Sequence, residues 1–124
     1  MDYETLSVNE LVDRISEFHT KPVAVVGLLT FDFEDQSISH FPKAEQREPG
    51  HGSGLALYPS SVWLAFGGTG SLRPNERVLS RWNRKRVRVL GIAHGSLHAE
   101  SGYMGCGHMG GWPCEIDVYS IERM

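Results

Sequence analysis

A chain of 124 residues, 40% of them hydrophobic and 22% charged, is sized for one domain that can bury a real core without disulfide staples. A net charge of −3 argues against a general nucleic-acid binder held by bulk electrostatics, which needs cations in excess. No apolar run approaches the ~20 residues that cross a bilayer as a helix, and the start MDYETLSVNE is acidic where a secretory signal would be basic, so a cytoplasmic protein without membrane partners is expected.

Leu6-Ser7-Val8-Asn9-Glu10-Leu11 carries a helix start: Ser7 can cap, Glu10 stands three residues on to complete a capping box, and Leu6 can staple onto Leu11. The apolar positions Val8, Leu11, Val12, Ile15 and Phe18 keep the helical period, which predicts an amphipathic helix over 8–19. Lys21-Pro22 ends it, because the residue before a proline is pushed out of the helical region. PVAVVGLLTF (22–31) is β-branched and apolar enough for a buried strand, with Gly27 predicting a bulge or bend. DFEDQSISHF (32–41) reads as a turn and a half-exposed strand, and 42–54 has loop composition. LALY (55–58) and VWLAF (62–66), parted by Pro59-Ser60-Ser61, predict one bent strand or two short ones. Pro74 and Asn75 open a short helix through about Trp82. RVRVLGIA (86–93) and EIDVYSIE (115–122) are the last two strands, joined by the long glycine-rich connection 94–114.

A mainly β chain in which a helix falls between the third and fourth of five strands, with a glycine within the first, resembles the OB-fold over roughly residues 22–122. The helix ahead of the first strand resembles small bacterial OB-fold proteins built the same way. GHMGGWPCEIDVYSIERM is similar to the C-terminal end of small bacterial proteins, which implies no chemistry. The expected fold is therefore a five-stranded, OB-like, partly open barrel with two helices, in a single domain 1–124. An α+β antiparallel sheet flanked by helices is the alternative.

The connection 94–114 holds both cysteines and three of the six histidines. Cys106, His108 and Cys114, with His94 or His98, offer soft ligands for tetrahedral zinc, but neither a Cys-x-x-Cys nor a His-x-x-x-His pair stands beside a matching pair. The expectation is no cofactor, with Cys106 and Cys114 as small buried apolar residues and a labile disulfide between them as a weaker reading. Trp112 and Met109 are read as packing, whereas His98, Tyr103 and His108 are candidate binding residues because the connection borders the groove that the resemblance implies.

Charge is unevenly placed. Arg81, Arg84, Lys85, Arg86 and Arg88 fall within eight positions, and residues 1–35 carry eight acids against Arg14 and Lys21. Around Trp82 the basic run is the best nucleic-acid signal, although alternation on a strand also makes Arg86 and Arg88 the wet side of an edge. Asp32, Glu34 and Asp35 follow the first strand, would repel phosphate, and are candidate residues of an acidic, partner-binding patch. No nucleophile elbow, phosphate loop, dinucleotide fingerprint or zincin motif occurs in the sequence. The expected function is a non-enzymatic binding module with a protein partner, of the kind in which immunity proteins neutralise bacterial toxins through acidic groups. Single-stranded nucleic acid bound through residues 81–88 and zinc binding are the alternatives.

Overall fold

Residues 5–32, 35–48, 57–66, 75–95, 106–107 and 111–124 are described by a computed structural model of the chain. The capping box forms as the sequence predicts: Ser7 Oγ accepts the Glu10 N–H at 3.2 Å, and Glu10 Oε1 accepts the Ser7 N–H at 3.1 Å. The helix it starts, α1 (Val8–Asp13), is shorter than expected. Arg14 leaves helical geometry at φ −111°, and a second short helix, α2 (Ile15–Phe18), follows. This break lets the apolar period serve two contacts. Val8, Leu11 and Val12 enter the core, whereas Ile15 and Phe18 pack at its margin.

The strands are β1 (Thr5–Ser7), β2 (Pro22–Asp32), β3 (Asp35–Ser39), β4 (Ser61–Ala65), β5 (Arg86–Gly95) and β6 (Cys114–Arg123). Helix α3 (Glu76–Arg81) stands between β4 and β5, capped by the Asn75 side chain on the Val78 N–H. Strand order is β1-β2-β3-β4-β6-β5, and β5 pairs back onto β2, so β2, β3, β4, β6 and β5 run round a ring. The protein is therefore mainly β, the described residues forming a partly ring-like six-stranded mixed sheet and three short α-helices. The β1/β2 and β4/β6 pairs are parallel, which overturns the alternative of an antiparallel sheet flanked by helices.

Three local expectations are corrected. Strand β1 was not expected, because three residues carry no readable period; it places Leu6 in the core and pairs with Ala24–Val26 of β2. Gly27 marks no register break. It lies beyond the β1 pairing, where β3 reaches β2, and a Cβ there would stand 2.5 Å from the Ser39 carbonyl oxygen. The irregularity falls between Leu90 and Gly91 in the β5/β6 pair, where a Cβ on Gly91 would meet the Asp117 oxygen at 2.1 Å. Finally, Leu57 and Tyr58 of the expected LALY strand lie outside any strand, since the Tyr58 N–H is taken by the Gly111 oxygen at 3.0 Å and its carbonyl by Ser61.

Inside the ring, alternation along the strands turns Val23, Val25 and Leu29 of β2, Ile38 of β3, Val62 and Leu64 of β4, Val87 and Val89 of β5, and Ile116 and Val118 of β6 inward, all buried. The same alternation turns Ser37 and Ser39 of β3 and Ser61 and Trp63 of β4 to the outer face. There Ser37 opposes Trp63 and Ser39 opposes Ser61 across the pair. No helix among the described residues is long and apolar enough to cross a membrane.

Candidate functional site

The outer face of β3 and β4 carries a cleft of about 290 Å³, bounded by Asp35, Ser37, Arg47, Tyr58, Ser61 and Trp112 among others. Its aromatic wall is built by three separated segments. Trp112 packs on Trp63 with ring centroids 4.8 Å apart, and Tyr58 lies on Trp112 at 4.6 Å. Trp112 is anchored on both sides: its indole N–H donates to Ser61 Oγ at 3.0 Å, and its backbone exchanges hydrogen bonds with Cys106 at 2.7 and 3.1 Å. Gly107, at φ +78°, lets this connection cross the indoles, since a Cβ there would lie 2.7 Å from both Trp112 and Trp63. The stack ends in solvent, where Tyr58 is 48% exposed and its neighbour Leu57 57% exposed.

The polar wall is held by a network. Ser60 Oγ accepts the Arg47 N–H and donates to Asn9 Oδ1, both at 2.8 Å. The Arg47 guanidinium forks onto Asp13 at 2.6 and 2.7 Å, which holds the Asp13 carboxyl below the usual carboxylate range and raises Arg47. Gln46 donates its amide to the His40 carbonyl oxygen at 3.0 Å. Asp35 differs from its neighbours: one oxygen accepts the Ser37 hydroxyl at 2.6 Å, and Oδ2 has no protein donor among the described residues. Burial pushes its carboxyl up, Ser37 pulls it down, and Asp32, its cross-strand partner, adds repulsion.

Of the acidic groups picked out in the sequence, Asp32 lies beside the turn within the basic run. Asp32 accepts the Asn83 side-chain amide at 3.3 Å, and the Arg84 N–H donates to the Leu29 oxygen at 2.6 Å, so the basic run starts beside the strand that ends in Asp32. Arg84 sits at φ +68° in this turn, and Lys85 is tied by its backbone to Trp82 and Leu29. Arg86 lies over the Phe41 ring at 4.5 Å, whereas Arg88 pairs with Glu122 at 3.1 Å. Arg86 also borders a second cleft of about 310 Å³, shared with Ser7, Glu10, Phe41 and Met124. The four cations thus do not front the aromatic wall. Phe31 and Phe66 meet edge to face at the margin of the core.

Glu34, His98, Tyr103 and His108 lie outside the described residues. Cys106 and Cys114 are free and buried. Burial pushes the Cys106 thiol up to about 12, with the Glu115 carboxylate adding to the shift, and raises Cys114 further. His94 Nε2 stands 3.2 Å from Asp117 Oδ2, and its ring meets His19 edge on at 6.0 Å. Among the described residues no group of three or more His, Cys, Asp or Glu is placed to hold a metal ion.

Sequence reasoning undervalued Leu57, Tyr58 and the serines of the cleft. Their signal was the Pro59-Ser60-Ser61 interruption, which breaks the apolar run and turns Tyr58 out of the core. Searches against protein-family models and against curated proteins return no match for this chain.

Proposed function

We propose that this protein is a non-catalytic, cytoplasmic binding module of the OB type whose ligand is another protein, taken on the outer face of β3 and β4. Support for the OB reading comes from the ring order β2-β3-β4-β6-β5, the parallel β4/β6 pair, and α3 lying between β4 and β5, the third and fourth of the ring's strands in chain order. The observation that carries the binding role is the Tyr58–Trp112 stack: a half-exposed tyrosine fixed on a buried, hydrogen-bonded tryptophan, with Leu57 standing free beside it. A rigid aromatic anchor with an aliphatic neighbour and a hydroxyl-rich rim has the make-up of an interface centre, because little side-chain freedom is lost when a partner covers it. Neutralising a bacterial toxin is one role such a module fits.

A single-stranded nucleic-acid ligand has less support. It would draw on Arg84, Lys85, Arg86 and Arg88, but Glu122 already pairs with Arg88, and the charges of the aromatic cleft are Asp35 and an Arg47 engaged by Asp13. The test uses a photo-cross-linking amino acid at position 58, with position 119 as control, since Tyr58 and Tyr119 are each 48% exposed. In extract of the source cells, position 58 is expected to capture a discrete protein that position 119 does not. Capture of the same proteins by both positions, or of none, overturns the reading. Salt-dependent binding of a labelled oligonucleotide that is lost on Tyr58→Ala would favour nucleic acid instead.

A further inference from the structure

We propose that the cleft beside Tyr58 is a subsite for a cationic side chain, an arginine or lysine presented by the partner. The inference rests on the protein-binding reading above and names the chemistry its partner must bring.

Charge complementarity selects this occupant. Among the described residues two charged side chains border the cleft, and one is already neutralised: both terminal nitrogens of Arg47 are held by Asp13. Asp35 is left as the uncompensated charge, with Ser37 on one oxygen and Oδ2 open. Asp32 stands opposite it across the β2/β3 pair, and a second carboxylate makes a cation there more favourable still. The remaining polar groups are largely occupied. Ser60 serves Arg47 and Asn9, Ser61 accepts the Trp112 indole, and Gln46 is held by the His40 carbonyl. A neutral polar ligand would therefore find few free partners, whereas a guanidinium or ammonium would complete the hydrogen bonding of Asp35. The apolar stem of such a side chain has a surface to lie on, the exposed side of the Tyr58 ring, and its charge is attracted by that ring. An anion would meet Asp35 instead.

Two tripeptides test this on the intact protein: acetyl-Gly-Arg-Gly-amide and its citrulline counterpart, which keeps the shape and loses the charge. Each is titrated while the amide signals of Ser37 and Ser61 and the Trp112 indole signal are followed by NMR. The arginine peptide is expected to shift these signals saturably and to bind at least about tenfold more tightly than the citrulline peptide. Asp35→Asn is expected to lower arginine affinity to the citrulline level while signals outside the cleft keep their positions. Equal binding of the two peptides, or no shift at the cleft with either, overturns the proposal, and that comparison needs no variant. Cross-linking at position 58 separates this failure from that of the underlying reading. A partner captured equally with Asp35 and with Asn at position 35 leaves the protein-binding reading standing and removes the cation subsite; capture of no partner in either form removes the reading itself.

Discussion

The buried imidazole of His40 accepts the Asn9 backbone N–H at Nδ1, 3.1 Å away, and so caps the second free amide of α1 from a position 31 residues distant in sequence. Because that amide must donate, Nδ1 carries a lone pair and the ring proton sits on Nε2, which faces Glu45 Oε1 at 3.0 Å. Ser7 serves the Glu10 amide in the same turn, so two of the helix's free N–H groups depend on different segments. His40→Ala is expected to lower unfolding free energy by about 1–3 kcal/mol in urea, since it removes a cap and leaves a cavity. Nitrogen NMR of the folded protein should report the Nε2–H tautomer. A protonated Nδ1 would contradict the geometry.

Gly107 is where backbone conformation and packing coincide, so its substitution tests the aromatic stack directly. An alanine there adds a Cβ 2.7 Å from Trp112 and Trp63 at a backbone φ of +78° that side chains rarely adopt. Gly107→Ala should destabilise by on the order of 2–4 kcal/mol. At Gly95 an added Cβ meets side chains alone, Ile15 Cγ1 at 3.2 Å and His19 Nδ1 at 3.8 Å, with no positive φ to strain it, and Gly95→Ala should cost less than Gly107→Ala, about 1 kcal/mol. Chemical denaturation of the two variants side by side checks the order; comparable losses would mean that the connection repacks around the indoles.

Buried thiols with raised proton affinity react slowly. Cys106 and Cys114 should be alkylated by iodoacetamide at pH 8 at least ~100-fold more slowly in the folded protein than in urea, read by timed mass spectrometry. The pH dependence has a definite sign. A thiol held up to about 12 in the folded state, against 9.0 for the free group, contributes stability that is present below pH 9 and lost as pH rises toward 12. Rapid modification of either cysteine in the native protein would sink this account.

What the sequence made legible was local. Ser7 and Glu10 announced α1 by spacing, Asn75 announced α3, and β-branched runs announced β2, β5 and β6. The parts that stayed hidden depend on faces meeting across long separations. Nothing in TLS signals a strand until β2 offers it an edge, and nothing in His40 signals a cap until Asn9 lies against it. The Trp63–Trp112–Tyr58 stack is of the same kind: Tyr58 and Trp63 stand in apolar runs that read as strands and Trp112 reads as packing, and only the outward turn of β4 decides that the rings gather outside the main core. His98, Tyr103 and His108 are candidates because their connection borders the groove that the OB resemblance implies, and they lie outside the described residues.

Asp13 and Asp35 are shifted in opposite directions, and acid should separate them. The Arg47 hydrogen bonds hold the Asp13 carboxyl below its ordinary value of 3.8, so its contribution is present above that pH and is lost as pH falls. Burial raises Asp35 above 3.8, so its folded form binds a proton more readily; stability is gained as pH falls and withheld at neutrality. Asp13→Asn should therefore destabilise at pH 7 by about 0.5–1 kcal/mol. Asp35→Asn should stabilise at pH 7 by less than about 1 kcal/mol, because the amide oxygen can still accept the Ser37 hydroxyl without the repulsion from Asp32. Both differences should shrink as pH falls below 3.8, that of Asp35 first because its carboxyl is the raised one, and urea midpoints followed from pH 7 down to pH 2 measure them. A shift of the same sign for the two variants at pH 7 would contradict the assignment. The Asp35 result also bears on binding: a carboxylate that lowers stability while uncompensated is one that a bound cation relieves, so the arginine peptide should raise the unfolding midpoint of the native protein and leave that of Asp35→Asn unchanged.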